Sequence, residues 1–370
     1  MKMIIPLILI CLAASPALAD KLSGKKLIEY GWDRPGTAYV REHITEMEKA
    51  PFDGVVICVA HKTVSSKKIG GPFLGHEIFT RKKLQPAEYE HAIIDLKATK
   101  FQRFTDNFIQ LLALPGDIDW FDPEWGSVAH NAAAFARIAK LGGCKGIMFD
   151  PEIYSHPFWT YKNFTDEKKA AHSFQDYEKI VRQRGREFIR AINKEFPDIT
   201  LLCLYGYCLP YVESVFIGGG KLDNTNYALL PAFYDGICDA ATPGTVLIDG
   251  HEYSYGYKTR KEFDEGYSRV FESLEVAANP KVARKHLKAG HGIWADNNSG
   301  EIGWHPEDFS KNYFTPQQLR TSLNLALEST DKYVWIYSQR INWWDGTAPK
   351  EFVDALRLCK EGPSQPEAEK

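Results

Sequence analysis

Asp150 and Glu152 stand two residues apart at the end of the apolar run 146–149. In an extended strand this spacing places both side chains on one face, with Cα atoms roughly 6.5–7 Å apart. One carboxyl group of such a pair can donate a proton while the other attacks, activates water or stabilises positive charge. This is the chemistry that cleaves a glycosidic bond. We expect burial and the neighbouring charge to keep Glu152 protonated near neutral pH while Asp150 stays ionised.

Other acids and aromatic residues follow the remaining β-rich runs, and side-chain alternation predicts which of them face inward. Asp249 and Glu252 follow the sixth run and are further candidates for catalytic carboxyl groups. Sugar rings stack on Trp and Tyr and offer hydroxyl groups to Asp and His, so the inward set predicts a carbohydrate ligand. The candidates for substrate binding are Asp33, His61, Tyr205, Tyr207, Trp294, Asp296, Trp335, Tyr337 and Trp343.

The elements that must hold these residues alternate between short β-rich runs and amphipathic stretches, which is typical of a parallel sheet with crossover helices. We predict strands at 26–32, 54–60, 107–113, 145–149, 200–205, 245–249, 292–295 and 332–338. We predict helices at 37–49, 128–141, 174–195, 259–278, 316–329 and 349–360. Eight such strands predict an α/β fold, a single (β/α)8 TIM barrel over residues 20–361.

The connections indicate which face of this barrel is used. Turns from helix to strand are short, whereas connections from strand to helix are long. The long connections are 61–85, 153–173, 208–226 and 297–315. Barrel enzymes build their active sites from the loops at the carboxyl ends of the strands, so we expect the site there. Only the tail 362–370, rich in Pro, Glu and Ser, is predicted to be disordered.

Composition excludes several classes of protein. The chain has 370 residues, 44% of them hydrophobic and 25% charged, with a formal net charge of −3. A single long apolar run, near the N-terminus, excludes a polytopic membrane protein, and we expect no integral membrane association. Basic residues are scattered rather than clustered, which argues against a nucleic-acid partner. We expect a monomer.

Residues 1–19 have the pattern of a signal peptide. Lys2 precedes the apolar stretch 3–14, and Ala17-Leu18-Ala19 matches the small-x-small site that signal peptidase cleaves. We therefore expect cleavage before Asp20 and a secreted or periplasmic protein. The mature chain would carry 44 basic and 48 acidic residues. This mild negative charge favours a neutral or N-acetylated glycan as the substrate over a strongly anionic one.

The segment 146–152, Gly-Ile-Met-Phe-Asp-Pro-Glu, resembles the fourth strand of TIM-barrel glycoside hydrolases, and in particular the Asp-x-Glu ending of family 18 chitinases and endo-N-acetylglucosaminidases. That family has the pattern Asp-x-x-Asp-x-Asp-x-Glu, and here Lys145 and Met148 replace its first two acids. The resemblance implies that Glu152 is the acid and that Asp150 orients a substrate acetamido group. It also implies a sugar subsite among the aromatic residues near Tyr205 and Trp335.

A second barrel clan, which includes the retaining α-galactosidases, is similar in another way. Its members carry an Asp nucleophile at the end of the fourth strand and an Asp acid at the sixth. Asp150 and Asp249 would fill these roles. The two resemblances share a glycosidase activity but assign different partners to the acid at the fourth strand.

Two other functions remain open at this point. Asp150, Glu152, Asp249 and Asp296 could bind Mg²⁺ or Mn²⁺ in an isomerase, lyase or aldolase, whereas the glycosidase interpretation requires neither a metal nor a cofactor. Alternatively, the barrel could bind sugars without cleaving them. For Trp343, which lies just past the last strand, a sugar platform competes with packing against the barrel rim. The sugar, its linkage and the stereochemical outcome stay open.

Overall fold

The computed structural model describes residues 22–62, 73–154 and 156–361. The expected signal peptide and the expected C-terminal tail lie outside the described residues, as do residues 63–72 of the predicted connection after the second strand. Within the described ranges, no helix is both long enough and apolar enough to cross a membrane.

The strands form one parallel sheet that curls into a barrel. They are β1 Lys26–Glu29, β2 Gly54–Ile57, β3 Phe108–Leu112, β4 Gly146–Asp150, β5 Thr200–Cys203, β6 Val246–Asp249, β7 Leu287–Ala289, β8 His291–Trp294 and β9 Tyr333–Tyr337. Their order in the sheet is β7-β6-β5-β4-β3-β2-β1-β9-β8. Only Gly290 separates β7, which pairs with β6, from β8, which pairs with β9. The two segments therefore form one kinked seventh strand that closes the ring, and the predicted (β/α)8 barrel is confirmed.

Helices surround the barrel. They are α1 Thr37–Met47, α2 Pro86–Ala98, α3 Gly126–Leu141, α4 Asp166–Ala171, α5 Phe174–Glu195, α6 Cys208–Phe216, α7 Leu230–Ala240, α8 Arg260–Glu272, α9 Pro280–His286, α10 Pro316–Ser329 and α11 Lys350–Leu358. The long connection predicted over 208–226 is not irregular throughout, because α6 occupies its first half. Glu213 of α6 accepts hydrogen bonds from the backbone N–H groups of Asn226 and Tyr227, which ties the following segment to the helix.

The core has two layers. Between the sheet and the helices, the rings of Phe79, Phe149, Phe188 and Phe233 lie 5.2–6.3 Å from one another. Inside the barrel, Trp335 fills the space opposite Gly292, where an added Cβ would lie 2.6 Å from the indole ring. Only glycine leaves room for this Trp, so the large ring and the small residue fix each other's positions.

Candidate active site

A cavity of about 580 Å³ opens where the strands end. Its lining combines three acids with aromatic and polar side chains. It includes Tyr30, Trp32, Arg34, His76, Asp150, Glu152, Tyr154, Glu252, Tyr255, Trp294, Tyr337 and Gln339. These residues come from several different strand ends or the loops that follow them, as expected for a site at the mouth of a barrel.

A second cavity, of about 430 Å³, adjoins the first. Tyrosines dominate its lining. It includes Tyr205, Leu209, Tyr227, His251 and Tyr253, and it shares Glu152, Glu252 and Tyr255 with the first cavity. The ring centroids of Tyr205 and Tyr227 lie 5.0 Å apart in an edge-to-face arrangement. The two cavities therefore form one cleft that is divided where Glu152 and Glu252 stand.

Asp150 is buried at the base of the first cavity, with 2% of its surface exposed. Its Oδ1 accepts the backbone N–H of Glu152 at 2.9 Å, and its Oδ2 accepts the hydroxyl of Tyr30 at 3.2 Å. Gln110 in turn donates to the Tyr30 oxygen at 2.9 Å. Burial, followed by the charge of Glu152, raises the pKa of Asp150 to about 8. These contacts fix the carboxyl group without fully compensating its charge.

Glu152 follows β4 and reaches into both cavities. Burial raises its pKa, and the hydroxyl of Tyr154 donates a hydrogen bond to its Oε2. Tyr154 is 63% exposed, so it lies at the entrance of the cleft. A partly buried glutamic acid with one hydrogen bond and a raised pKa is suited to donate a proton.

Glu252 reaches the cleft through a turn of the backbone. His251 adopts a left-handed conformation with φ of 45°, and a 3-10 helix Glu252–Gly256 follows it. Asp249 supports this turn because its Oδ1 accepts the backbone N–H of His251 at 3.0 Å. Burial, followed by the charges of Glu152 and Asp150, raises the pKa of Glu252 to about 8. The strained turn at His251 thus places the carboxyl group of Glu252 in the cleft, as its third acid.

Aromatic rings form the wall and the floor between these acids. Tyr255 stacks on Tyr337 with their ring centroids 5.4 Å apart, and Trp294 lies 5.5 Å from Tyr337. Trp335 is fully buried 5.3 Å from Tyr255 and donates its indole N–H to the carbonyl of Gly250. The predicted binding residues Trp294 and Tyr337 therefore line the cleft, whereas Trp335 supports its floor from below.

Three acids that we predicted to face the cleft are used by the backbone instead. Asp249 accepts the N–H of Cys208 as well as that of His251, and Asp33 accepts the N–H of Trp343 at 2.8 Å. Asp296 accepts hydrogen bonds from four N–H groups, those of the Trp294 indole and of the backbone at residues 339, 340 and 341. Each of these acids stabilises a loop at the rim of the barrel rather than lining either cavity.

Strand pairing explains the misplaced acids. Residues paired between neighbouring parallel strands face the same side of the sheet. Glu29, the last residue of β1, pairs with the outward Ile336, so the next residue, Tyr30, points inward and donates to Asp150. Asp33 lies beyond the end of β1, in a turn. Asp249 pairs with Cys203, which pairs with the outward Phe149. The inward orientation predicted for Asp33 and Asp249 is therefore wrong.

Three further candidates for substrate binding lie away from the cleft. Tyr207 is buried and donates to Asp235 of α7, because the chain has already turned into α6 at this point. Trp343 packs edge-to-face on Phe52 and donates its indole N–H to Ser338, so it packs against the barrel rather than serving as a platform. His61 contacts Glu77 at 2.7 Å. Tyr205 does reach the cleft, in its tyrosine-lined part.

The sequence interpretation missed several cleft residues. They are Tyr30, Arg34, Tyr154, Tyr227 and Tyr255, of which Tyr255 lies in the 3-10 helix Glu252–Gly256 and the others lie outside the strands. Tyr30 could have been found by assigning the other face of the predicted strand 26–32 to the interior. The others follow no periodic pattern. Among the described residues, no group of three or more His, Cys, Asp or Glu side chains is arranged to hold a metal ion.

Comparisons with known proteins do not identify a family. No family model matches this chain, and no curated protein matches it. Among solved structures, the chain is similar to a GH5-4 broad specificity endoglucanase from Bacteroides salanitronis, with 11% identity, a TM-score of 0.47 and coverage of 96% of this chain and 98% of that one. It is similar to a GH18 chitinase from Pseudoalteromonas aurantia, with 12% identity, a TM-score of 0.43 and coverage of 90% and 99%. It is also similar to endonuclease IV from Thermus thermophilus, with 14% identity, a TM-score of 0.42 and coverage of 90% and 98%. The function is therefore argued from the side chains of the cleft.

Proposed function

We propose that the cleft hydrolyses glycosidic bonds, with Glu152 as the proton donor and Glu252 as the second carboxyl group. One observation carries this proposal: Glu152 and Glu252 are the acids that the two cavities have in common. In a glycan that occupies both cavities, the glycosidic linkage would lie between these two side chains. The leaving oxygen and the anomeric carbon would then each face a carboxyl group.

The raised pKa values support the presence in the cleft of a carboxyl group that holds a proton. A glycosidase needs one carboxyl group that holds a proton and one that is ionised. Burial raises the pKa of Glu152, and burial with the nearby charges raises the pKa of Glu252 to about 8. Because like charges in one cleft oppose simultaneous ionisation, a proton remains available there at neutral pH. Asp150 assists by accepting the backbone N–H of Glu152, which holds that residue in place.

The aromatic lining supports a sugar as the substrate. Tyr255, Tyr337 and Trp294 present rings to the first cavity, while Tyr205 and Tyr227 do so in the second. Such rings stack on the C–H faces of pyranoses, and their hydroxyl groups offer hydrogen bonds to sugar hydroxyls. Rings on both sides of the acids favour a substrate with sugar or aryl groups on both sides of the cleaved bond.

The test is hydrolysis of a panel of polysaccharides and aryl glycosides by the purified full chain, beside Glu152→Gln and Glu252→Gln. We expect product from the wild type and at least a loss of about a hundredfold in each variant, because each removes a carboxyl group that acts in the transition state. The matched control is Glu275→Gln, which alters an exposed glutamate outside the cleft. Full activity in both cleft variants would contradict the proposed roles. Sugar binding without any product would indicate a binding protein instead.

We also propose that the protein is exported, on the sequence of residues 1–19. Export would bring the cleft to extracellular or periplasmic glycans. Mass spectrometry of the protein recovered from cell fractions tests this proposal. A mature N-terminus at Asp20 supports it, and an intact Met1 in the cytoplasmic fraction would contradict it.

A further inference from the structure

The two parts of the cleft differ in charge. The second cavity is walled mainly by tyrosines, and none of its described lining residues is Lys or Arg. The first cavity contains Arg34, which follows β1 in the chain. Arg34 therefore places a permanent positive charge on one side of the acids and leaves the other side without one.

Arg34 lacks, among the described residues, the partners that a half-buried guanidinium normally has. Its Nε is buried and has no hydrogen-bond partner there. No ion pair joins it to an acid within the described part of the chain. Burial lowers its pKa, but the neighbouring groups, Cys58 first and then Tyr30 and Asp150, outweigh burial and raise it. Its close support is the ring of Phe73, whose centroid lies 5.5 Å from the guanidinium carbon. Such a group is costly to bury unless an anion completes it.

His76 adds a second unsatisfied group to the same cavity. Its ring lies 5.8 Å from that of Phe73, and its Nε2 is buried without a hydrogen-bond partner in the described ranges. Burial, followed by the charge of Arg34, lowers the pKa of His76 to about 4. The neutral ring offers one hydrogen bond to a ligand next to the cation. Arg34 and His76 thus both line the first cavity, and each has a buried nitrogen atom without a hydrogen-bond partner among the described residues.

We propose that the sugar bound in the first cavity carries an anionic group, a carboxylate or a sulfate, that Arg34 binds with help from His76. This inference rests on the proposed function and narrows its substrate to acidic glycans. The guanidinium fork matches the paired oxygens of either anion. The small net negative charge of the chain, from which we expected a neutral glycan, describes the whole molecule. The charge inside the first cavity is set by Arg34 and by acids whose raised pKa values reduce their ionisation.

The test compares matched sugars that differ only in charge. Binding to the wild-type full chain is measured by calorimetric or NMR titration with D-glucose and D-glucuronic acid, D-galactose and D-galacturonic acid, and D-glucose 6-sulfate. We expect at least one anionic sugar to bind about tenfold more tightly than its neutral counterpart, and added NaCl at about 0.5 M to weaken that preference. The sugar that shows the preference identifies the anion as a carboxylate or a sulfate.

Variants of Arg34 test whether this residue causes the preference for an anionic sugar. Arg34→Gln should abolish it, and Arg34→Lys should retain only part of it, because Lys keeps the charge but loses the fork. Arg190→Gln, which removes an exposed arginine of α5, should leave it unchanged. Equal binding of charged and neutral sugars by the wild type, or a preference that survives in Arg34→Gln, would overturn the proposal. The wild-type comparison decides the matter even if an Arg34 variant fails to fold.

The failure of this inference is distinguishable from failure of the proposed function. Hydrolysis of neutral glycans with no preference for acidic ones would support the proposed glycosidase activity and contradict the proposed anion site. A preference for an anionic sugar that depends on Arg34, with no glycoside of that sugar hydrolysed, would establish the anion site and contradict the glycosidase.

Discussion

The two ends of the barrel bury acidic side chains in opposite ways. Where the strands begin, Asp106 is 2% exposed, accepts the hydroxyl of Tyr333 at 2.7 Å and pairs with Lys332 at 3.0 Å. Burial raises the pKa of Asp106, but these contacts outweigh burial and leave it below the usual range. Where the strands end, Asp150 is equally buried, yet burial and the charge of Glu152 raise its pKa to about 8. A compensated acid stabilises the fold, whereas an uncompensated acid beside a cavity is available for chemistry.

Position at the mouth alone does not separate these two kinds of acid. Asp249 and Asp296 also lie near the ends of strands, but backbone N–H groups occupy their oxygens. Glu152 and Glu252 line the cavities instead. The hydrogen-bond partners of an acid are therefore more informative than its place in the chain.

The largest expected effect is on catalysis by the acids of the cleft. Glu152→Gln and Glu252→Gln should each lower kcat by about 10²–10⁴-fold. Because both groups are proposed to act on one bond, the kcat of the double variant should be only slightly lower than that of the more impaired single variant. Steady-state kinetics on the best panel substrate measures this. If the loss of kcat in the double variant equalled the product of the two single losses, the two acids would act independently.

The next effect is on stability at the opposite end. Asp106→Asn should lower the free energy of unfolding by about 1.5–3 kcal/mol, because it removes a charged acceptor of buried hydrogen bonds. Activity per folded molecule should stay unchanged. Urea denaturation measures the loss, with Glu275→Gln as the control. An unaltered denaturation midpoint in Asp106→Asn would contradict the claim that buried acids at this end of the barrel stabilise the fold.

The pH dependence of stability should have opposite signs at the two ends. The pKa values of Asp150 and Glu252 are both raised to about 8 in the folded protein, whereas in the unfolded chain they are about 4. These two groups therefore contribute their full stabilisation of the folded state below about pH 4, and this contribution is lost as the pH rises through about 8. The lowered pKa of Asp106 gives stability that is present above that unfolded-state value and is lost in acid. Thermal unfolding from about pH 5 to about pH 9 should therefore show a decline in the wild type that is shallower in Asp150→Asn. Parallel profiles for the two proteins would contradict the raised pKa.

The smallest effect should come from the rim of the cleft. Trp32 is 63% exposed and donates its indole N–H to the hydroxyl of Tyr337 at 2.7 Å. Trp32→Ala should raise KM about two- to tenfold through loss of stacking, with kcat and stability little changed. A loss of kcat comparable to that of the acid variants would place Trp32 among the reacting groups.

The sequence was sufficient to predict the barrel, because local composition marks each of the eight strands and all the long predicted connections follow the carboxyl ends of strands. It was also sufficient for Asp150 at the end of β4. Alternation along a strand shows which residues share a face but not which face points inward, so within and just after the predicted strand 26–32 we assigned Asp33 rather than Tyr30 to the interior. The phase is decided across strands, where Tyr30 meets Asp150.

The remaining cleft residues had no such signal. Glu252 was a candidate for catalysis, yet its place in the cleft depends on the left-handed turn at His251. Tyr154 and Arg34 lie on loops and Tyr255 lies in the short 3-10 helix Glu252–Gly256, and the conformation of these segments depends on contacts distant in sequence. The charge pattern of the cleft could therefore be found only from the structure.

The measurement that tests the account most directly compares Glu152→Gln and Asp106→Asn for both kcat and free energy of unfolding on the same preparations. The account predicts that Glu152→Gln loses at least about a hundredfold in kcat on an accepted glycan with its stability kept at neutral pH, and that Asp106→Asn loses stability with its kcat kept. If Glu152→Gln kept wild-type turnover, or if Asp106→Asn abolished turnover while remaining folded, the assignment of chemistry to the mouth of the barrel would be contradicted.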